Sequence, residues 1–220
     1  DDWIQYVLDR PMLHEPGTYF EYNSGAVHLL SAILQNVTDT TASEMAEGYI
    51  FEPLGIDNVV WDTDPQGHTD GTGTCELTTR DMAKLGYLYL NNGTWDTTQI
   101  IPEDWVEDTQ QSLVSVNTIK DYGYLWWIYR GMDAYHAVGF WARVISVIPE
   151  YDMVAVVTGY DNNGDFLRNQ WKYALEEWII PAAQDEIIPS APIDWLTLGI
   201  GISVVAAVVI VAVLIIRLKR

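Results

Sequence analysis

The sequence predicts an α+β domain, with helices first, then antiparallel strands, then a closing helix, plus one C-terminal transmembrane helix. Three observations predict it. Apolar residues recur at helical spacing through residues 24–108, and residues 122–158 are aromatic and β-branched and broken by turn residues. Residues 196–216 form an apolar run with no charge. Helices followed by runs of strands indicate segregated layers rather than alternating βαβ units.

Residues 24–35 carry Val27, Leu29, Leu30, Ile33 and Leu34 at helical period, and residues 41–50 form a second helical stretch with Thr41 or Ser43 as N-cap. Pro53 and Gly55 close it, and residues 62–73 are turn chemistry rich in Asp, Pro, Gly and Thr. A helix is expected over residues 79–90, with Met82, Leu85 and Leu88 on one face and Asn91-Asn92-Gly93 as its stop; a short one is expected at 102–108. Residues 122–129 read as a strand turned at Gly131-Met132-Asp133. Residues 142–148 and 153–158 read as strands split by Pro149-Glu150-Tyr151-Asp152, and residues 169–180 return to a helical pattern.

The run at 196–216 would span about 31 Å as a helix, enough for a bilayer core of about 30 Å. Trp195 precedes it and Arg217, Lys219 and Arg220 follow it, so the C-terminus is expected in the cytoplasm and the domain outside the cell. Residues 182–194, with Pro189 and Pro192, read as a juxtamembrane linker, residues 195–217 as the span and 218–220 as the tail. The spacing of Gly199 and Gly201 is not that of a helix-dimerisation motif, and oligomeric state is left open.

The chain has a net charge of −20; before Leu196 it carries 31 acidic residues against 8 basic ones, since three of its 11 basic residues follow the span. Such a surface repels nucleic acid and anionic lipid and suits a saline exterior. The lone Cys75 excludes an internal disulfide and reads as a small buried residue. Asn36 and Asn92 head glycosylation sequons. No cofactor or metal is indicated: His14, His28, His68 and His136 lack zinc-ligand spacing, and the calcium-like string at Asp62 has Gly73 where a loop needs Glu. His136 reads either as a cleft residue or as a strand-edge histidine, and Lys84 as structural.

Several strings resemble the serine β-lactamase, DD-peptidase and 6-aminohexanoate-dimer hydrolase family. They are Pro16-Gly17-Thr18-Tyr19-Phe20-Glu21-Tyr22-Asn23-Ser24-Gly25, Pro53-Leu54-Gly55-Ile56, the stretch from Thr79 to Gly86, Tyr122-Gly123-Tyr124 with Trp126-Trp127, and Ile148-Pro149-Glu150. They fall in the family's order across residues 3–180 and make residues 1–181 the C-terminal part of such a domain. The resemblance implies a serine hydrolase acting on an amide, ester or peptide bond of a small molecule or peptide. It places Tyr22 at the general-base tyrosine, a phenol made usable by a neighbouring lysine. Ser24 takes the third position of the Tyr-x-Asn-like motif, closer to the esterase and amide-hydrolase branch than to lactamases. Gly139 matches the glycine of a Gly-x-Gly-Gly-Gln string, whose next backbone N–H, here on Phe140, serves the oxyanion hole. Trp141-Ala142-Arg143 departs from that string: either Trp141 and Arg143 reshape the pocket toward anionic or aromatic substrates, or the site is degraded.

The nucleophile of the family lies in a Ser-x-x-Lys motif upstream of the tyrosine, and no serine in this sequence is followed by Lys at the third position. The chain opens at Asp1 without a targeting segment, so it reads as a fragment, inactive alone. The alternative is a catalytically inactive, surface-displayed binding module on the same fold.

Overall fold

The computed structural model describes residues 1–141, 143–159 and 166–184. The expected transmembrane run at 196–216 lies outside these residues, as does the linker beyond Gln184. Among the described residues no helix is long and apolar enough to cross a membrane.

The chain opens with helix α1 (Trp3–Leu8), and a long loop leads to α2 (Ser24–Thr38). Asn23 caps α2 by accepting the Ala26 N–H at 3.1 Å. The second helical stretch is α3 (Ala42–Ala46), a π-helical turn (Glu47–Phe51) and α4 (Glu52–Leu54). Thr41 and Glu44 form a full capping box at its start, and Gly55 ends it in the left-handed conformation. Helix α5 (Thr79–Leu90) is capped by Thr78, whose hydroxyl accepts the Asp81 N–H at 3.2 Å. A small hairpin, β1 (Thr94–Trp95) and β2 (Thr98–Gln99), precedes α6 (Glu103–Thr109).

Six strands then form one antiparallel sheet in chain order: β3 (Val114–Ser115), β4 (Lys120–Gly123), β5 (Trp126–Tyr129), β6 (Tyr135–Gly139), β7 (Arg143–Ile148) and β8 (Met153–Val157). The aromatic stretch expected as one strand is two. Tyr124 and Leu125 both take positive φ and make a two-residue hairpin turn, with Gly123 opposite Trp126. Neither is a residue that announces such a turn, which is why periodicity read through it. The closing helix is α7 (Phe166–Ala174), a π-helical turn (Leu175–Ile179) and α8 (Ile180–Ala183).

The core is two layers on the last strands. On one face Ile145, Val147, Val154 and Val156 pack against Met82 and Ala83 of α5. On the other, Val144, Ile148, Met153, Ala155 and Val157 pack against Trp171, Leu175, Ile179 and Ile180. Alternation along a strand sends successive residues to opposite layers, so β8 is buried throughout. Beside α5, Phe51, Leu54, Ile56 and Leu88 form a third cluster. Lys84 spans α5 and the Pro53 turn by donating to the Gly55 carbonyl and pairing with Asp81 at 3.0 Å, a structural role.

Gly86 is where α5 comes closest to the sheet: a Cβ there would lie 2.5 Å from Val154 Cγ1 and 2.8 Å from Ile145 Cγ2. Gly86→Ala is expected to cost about 1–3 kcal/mol through overpacking. Gly48→Ala, whose added methyl meets nothing within 4 Å, is the control expected to leave stability within about 1 kcal/mol. Urea midpoints of the two variants check this.

Candidate active site

Two groups of expected site residues stand on different elements. Tyr22 lies on the loop entering α2 and is 54% exposed. Its ring stacks on Trp127, with centroids 6.0 Å apart and planes 20° apart, and meets Tyr122 edge-on at 6.3 Å. Tyr122 and Trp127 are direct cross-strand partners on β4 and β5, 4.7 Å apart. Phe20 adds a fourth ring, 5.2 Å from Tyr122. Lys120 is two residues before Tyr122, hence on the same face, and sets its Nζ 4.6 Å from the Trp127 ring centroid. Burial, followed by the neighbouring Tyr22, pushes the Tyr122 phenol up to about 12. The Tyr122 phenol is therefore held protonated, while the Tyr22 side chain faces solvent. Ser24 is the first, exposed residue of α2.

The second group is the turn between β6 and β7. Gly139 pairs with Arg143 as the last rung of the ladder. Phe140 is 61% exposed and its ring lies 5.4 Å from that of Trp141, which takes a left-handed φ of 55°. The Arg143 guanidinium covers the Trp141 ring at 5.1 Å and donates to the Phe140 carbonyl at 3.3 Å. Trp127 pairs with His136, three residues before Gly139, so about 10 Å of strand separates the Tyr22 stack from the turn along the sheet. Register thus brings both groups toward one end of the sheet.

His136 does not line a cleft. It is fully buried: Trp171 Nε1 donates to Ser146 Oγ at 2.8 Å, and Ser146 Oγ shares a 2.8 Å hydrogen bond with His136 Nδ1. Burial, with Lys172 nearby, pushes its imidazole down to about 3 and keeps it neutral. Cys75 is half-buried, and burial raises its thiol to about 11, consistent with an inert packing residue.

The support of α2 is a set of contacts that spacing cannot show. Asp64, whose side chain is fully buried, accepts from His28 Nε2 at 3.0 Å and from His68 Nδ1 at 2.9 Å. Its other oxygen takes the Gln66 and His68 amides. The Gly71 N–H donates to His28 Nδ1 at 3.2 Å, which fixes the tautomer that points Nε2–H at Asp64. The edge of Trp3 closes over His28 at 5.6 Å. The acid-rich turn is therefore a clasp holding the first turns of α2, next to Tyr22. Among the described residues, no group of three or more His, Cys, Asp or Glu side chains is placed to hold a metal.

The family model for β-lactamase matches residues 1–177. An uncharacterized protein of Alkalihalophilus pseudofirmus is 22% identical over 175 residues, which cover 64% of this chain and 52% of that protein. A Bacillus anthracis structure provisionally named a 6-aminohexanoate-dimer hydrolase superposes with a TM-score of 0.70 at 23% identity, covering 83% of this chain and 48% of that one. A penicillin-binding protein from Bacillus halodurans gives 0.51 at 22%, covering 65% and 53%. The two structural likenesses are likenesses of fold. The chain spans about half the length of these relatives.

Burial opposes ionisation of Asp64, but hydrogen bonds from the His68 ring and amide, His28 and Gln66 outweigh it and hold the carboxyl at about 2, below its ordinary 3.8. A carboxyl depressed by folding stabilises the fold fully above about pH 4 and loses that contribution as pH falls toward about 2. The contribution amounts to about 2 kcal/mol. Asp64→Asn is expected to melt lower at pH 6 and to lose most of the wild-type dependence between pH 4 and 2, as read by thermal melts across that range.

Proposed function

This chain belongs to the β-lactamase family, and from that premise we propose that it forms the C-terminal part of a membrane-anchored extracellular serine hydrolase. Its reaction is cleavage of an amide, ester or peptide bond in a small molecule or peptide. The observation that carries the reading is the exposed Tyr22 phenol, stacked on Trp127 toward the same end of the sheet as the exposed turn at Phe140.

The parts divide the work as follows. A serine hydroxyl, supplied by a Ser-x-x-Lys segment that this sequence does not contain, attacks the substrate carbonyl. Tyr22 accepts the serine proton, helped by the cationic lysine of that segment, and returns it to the leaving group. The Phe140 N–H donates to the oxygen that gains charge as the carbonyl becomes tetrahedral. Trp127 and Tyr122 hold the Tyr22 ring in place, Asn23 fixes the first turn of α2, and the Asp64 clasp secures that helix. Water then attacks the acyl-serine carbonyl, Tyr22 taking its proton and returning it to the serine oxygen as the carbonyl–serine bond breaks.

The tether is part of the same proposal. The run at 196–216 between Trp195 and Arg217 has the length, border and charge flank of a single span, with the domain outside and the tail in the cytoplasm. The chain is expected to stay in the membrane fraction through an alkaline carbonate wash, and deletion of residues 196–216 is expected to release it. Release of the undeleted chain would sink the anchor.

In a longer protein joining this chain to a Ser-x-x-Lys segment, a fluorophosphonate probe is expected to label the serine. Tyr22→Phe is expected to slow labelling about 10²–10⁴-fold. Phe140→Pro, which deletes the N–H, is expected to slow it about 10²–10³-fold. A protein that carries the segment and takes no label would instead be the inactive binding module.

A further inference from the structure

We propose that Asn92 is an N-glycosylation site and that the second sequon of the chain, at Asn36, is silent. This inference rests on the reading that places the domain outside the cell. The chemistry is that of any such sequon: the side-chain amide nitrogen attacks the anomeric carbon of a lipid-linked oligosaccharide. A nitrogen–carbon bond forms, the bond from that carbon to the lipid-linked phosphate breaks, and one amide proton passes to a base on the transferase.

Both asparagines are exposed, so access to solvent does not separate them. Backbone form does. Asn36 and Thr38 both lie in the last turn of α2. On a helix, residues two apart do not face each other. A transferase reads the asparagine amide and the threonine hydroxyl together. On α2 the two point to different sides, and one pocket can take both only if the turn unwinds.

That turn is well fixed. The Thr38 hydroxyl donates to the Leu34 carbonyl at 2.8 Å and accepts the Thr40 N–H at 3.3 Å. The Asp39 N–H closes the helix on the Gln35 carbonyl at 2.9 Å. The hydroxyl that a transferase needs is thus already committed to the helix end.

Asn92 stands in a different setting. It lies in the turn between α5 and β1, at a left-handed φ of 50°. The segment after it is held by a hairpin of two-residue strands, with β2 fully exposed. The Thr94 hydroxyl reaches across that hairpin to Gln99 Oε1 at 3.0 Å, a contact at the surface. Gln99 Nε2 in turn donates to the Asn92 carbonyl at 2.7 Å. A short exposed hairpin opens locally at small cost, and opening it frees the hydroxyl and the backbone of the sequon together.

The side chain also tolerates the product. Asn92 Nδ2 carries two protons and donates one to Glu103 Oε1 at 3.1 Å. A glycan replaces one proton and leaves the other, so the bond to Glu103 survives. The backbone bonds of the turn, from the Asn92 N–H to Tyr89 and from the Gly93 N–H to Leu88, do not involve the amide group.

The full chain, placed behind a secretion leader, is expressed in a eukaryotic secretory pathway. An amidase that releases N-glycans, used in heavy-oxygen water, turns each formerly glycosylated asparagine into labelled aspartate for mass spectrometry. A parallel digest without the amidase subtracts spontaneous deamidation at the Asn92-Gly93 bond. Label is expected at Asn92 and none at Asn36. On gels, Thr94→Ala is expected to lower the apparent mass by one glycan, Thr94→Ser to keep the glycan, and Thr38→Ala to change nothing. Thr94→Ala leaves Asn92 in its turn, and rescue by Thr94→Ser ties the loss to the hydroxyl. An unlabelled Asn92, label at Asn36, or a band unmoved by Thr94→Ala would each overturn the proposal. The leader delivers the domain whatever the run at 196–216 does. An unlabelled Asn92 therefore counts against this inference, whereas release in the carbonate wash counts against the anchor.

Discussion

Strands β7 and β8 send apolar side chains to both faces of the sheet, and a strand buried on both faces has to be covered twice. That requirement sets the architecture. One cover, α5, comes before the strands in sequence, and the other, α7 to α8, comes after them. The strands between can then follow one another as a meander, because no crossover helix is needed to fill either face. The site inherits its position from this arrangement. The outer strands β4 and β5 leave a face on which the loop before α2 lays Phe20 and Tyr22, and the β6–β7 ladder ends at the Gly139–Arg143 pair.

Within this frame two polar devices secure the non-sheet elements. Asp64 draws His28 and His68 together and thereby locks α2 to a turn more than thirty residues away. Lys84 reaches from α5 to the carbonyl that ends α4. Each satisfies buried or terminal polar groups that would otherwise be costly.

The legible parts of the sequence were those with strong local patterns. The helix at Thr79, the Thr41 cap, the Pro149 turn and the order of layers all rest on periodicity or capping chemistry that operates within a few residues. The turn at Tyr124 and Leu125 was not legible, because its residues carry neither glycine nor asparagine and its left-handed geometry is imposed by the pairing of β4 with β5. The site divides in the same way. Tyr22, Gly139 and Phe140 are candidates by resemblance alone. The stack on Trp127, the cation of Lys120 over it and the Asp64 clasp depend on register and on contacts between distant segments. His136, open to two readings in sequence, is settled by the Ser146 and Trp171 hydrogen bonds that bury it.

The late position of α7 and α8 also has a consequence for how the chain is made. The six strands are sequence neighbours, so the meander can form as soon as residue 157 is available, with α5 already waiting for one face. Val144, Ile148, Met153 and Ala155 stay open to water until residues 171–180 emerge and fold over them. For that interval a nascent chain presents a bare apolar sheet, and this is the moment at which a chaperone would have to guard it.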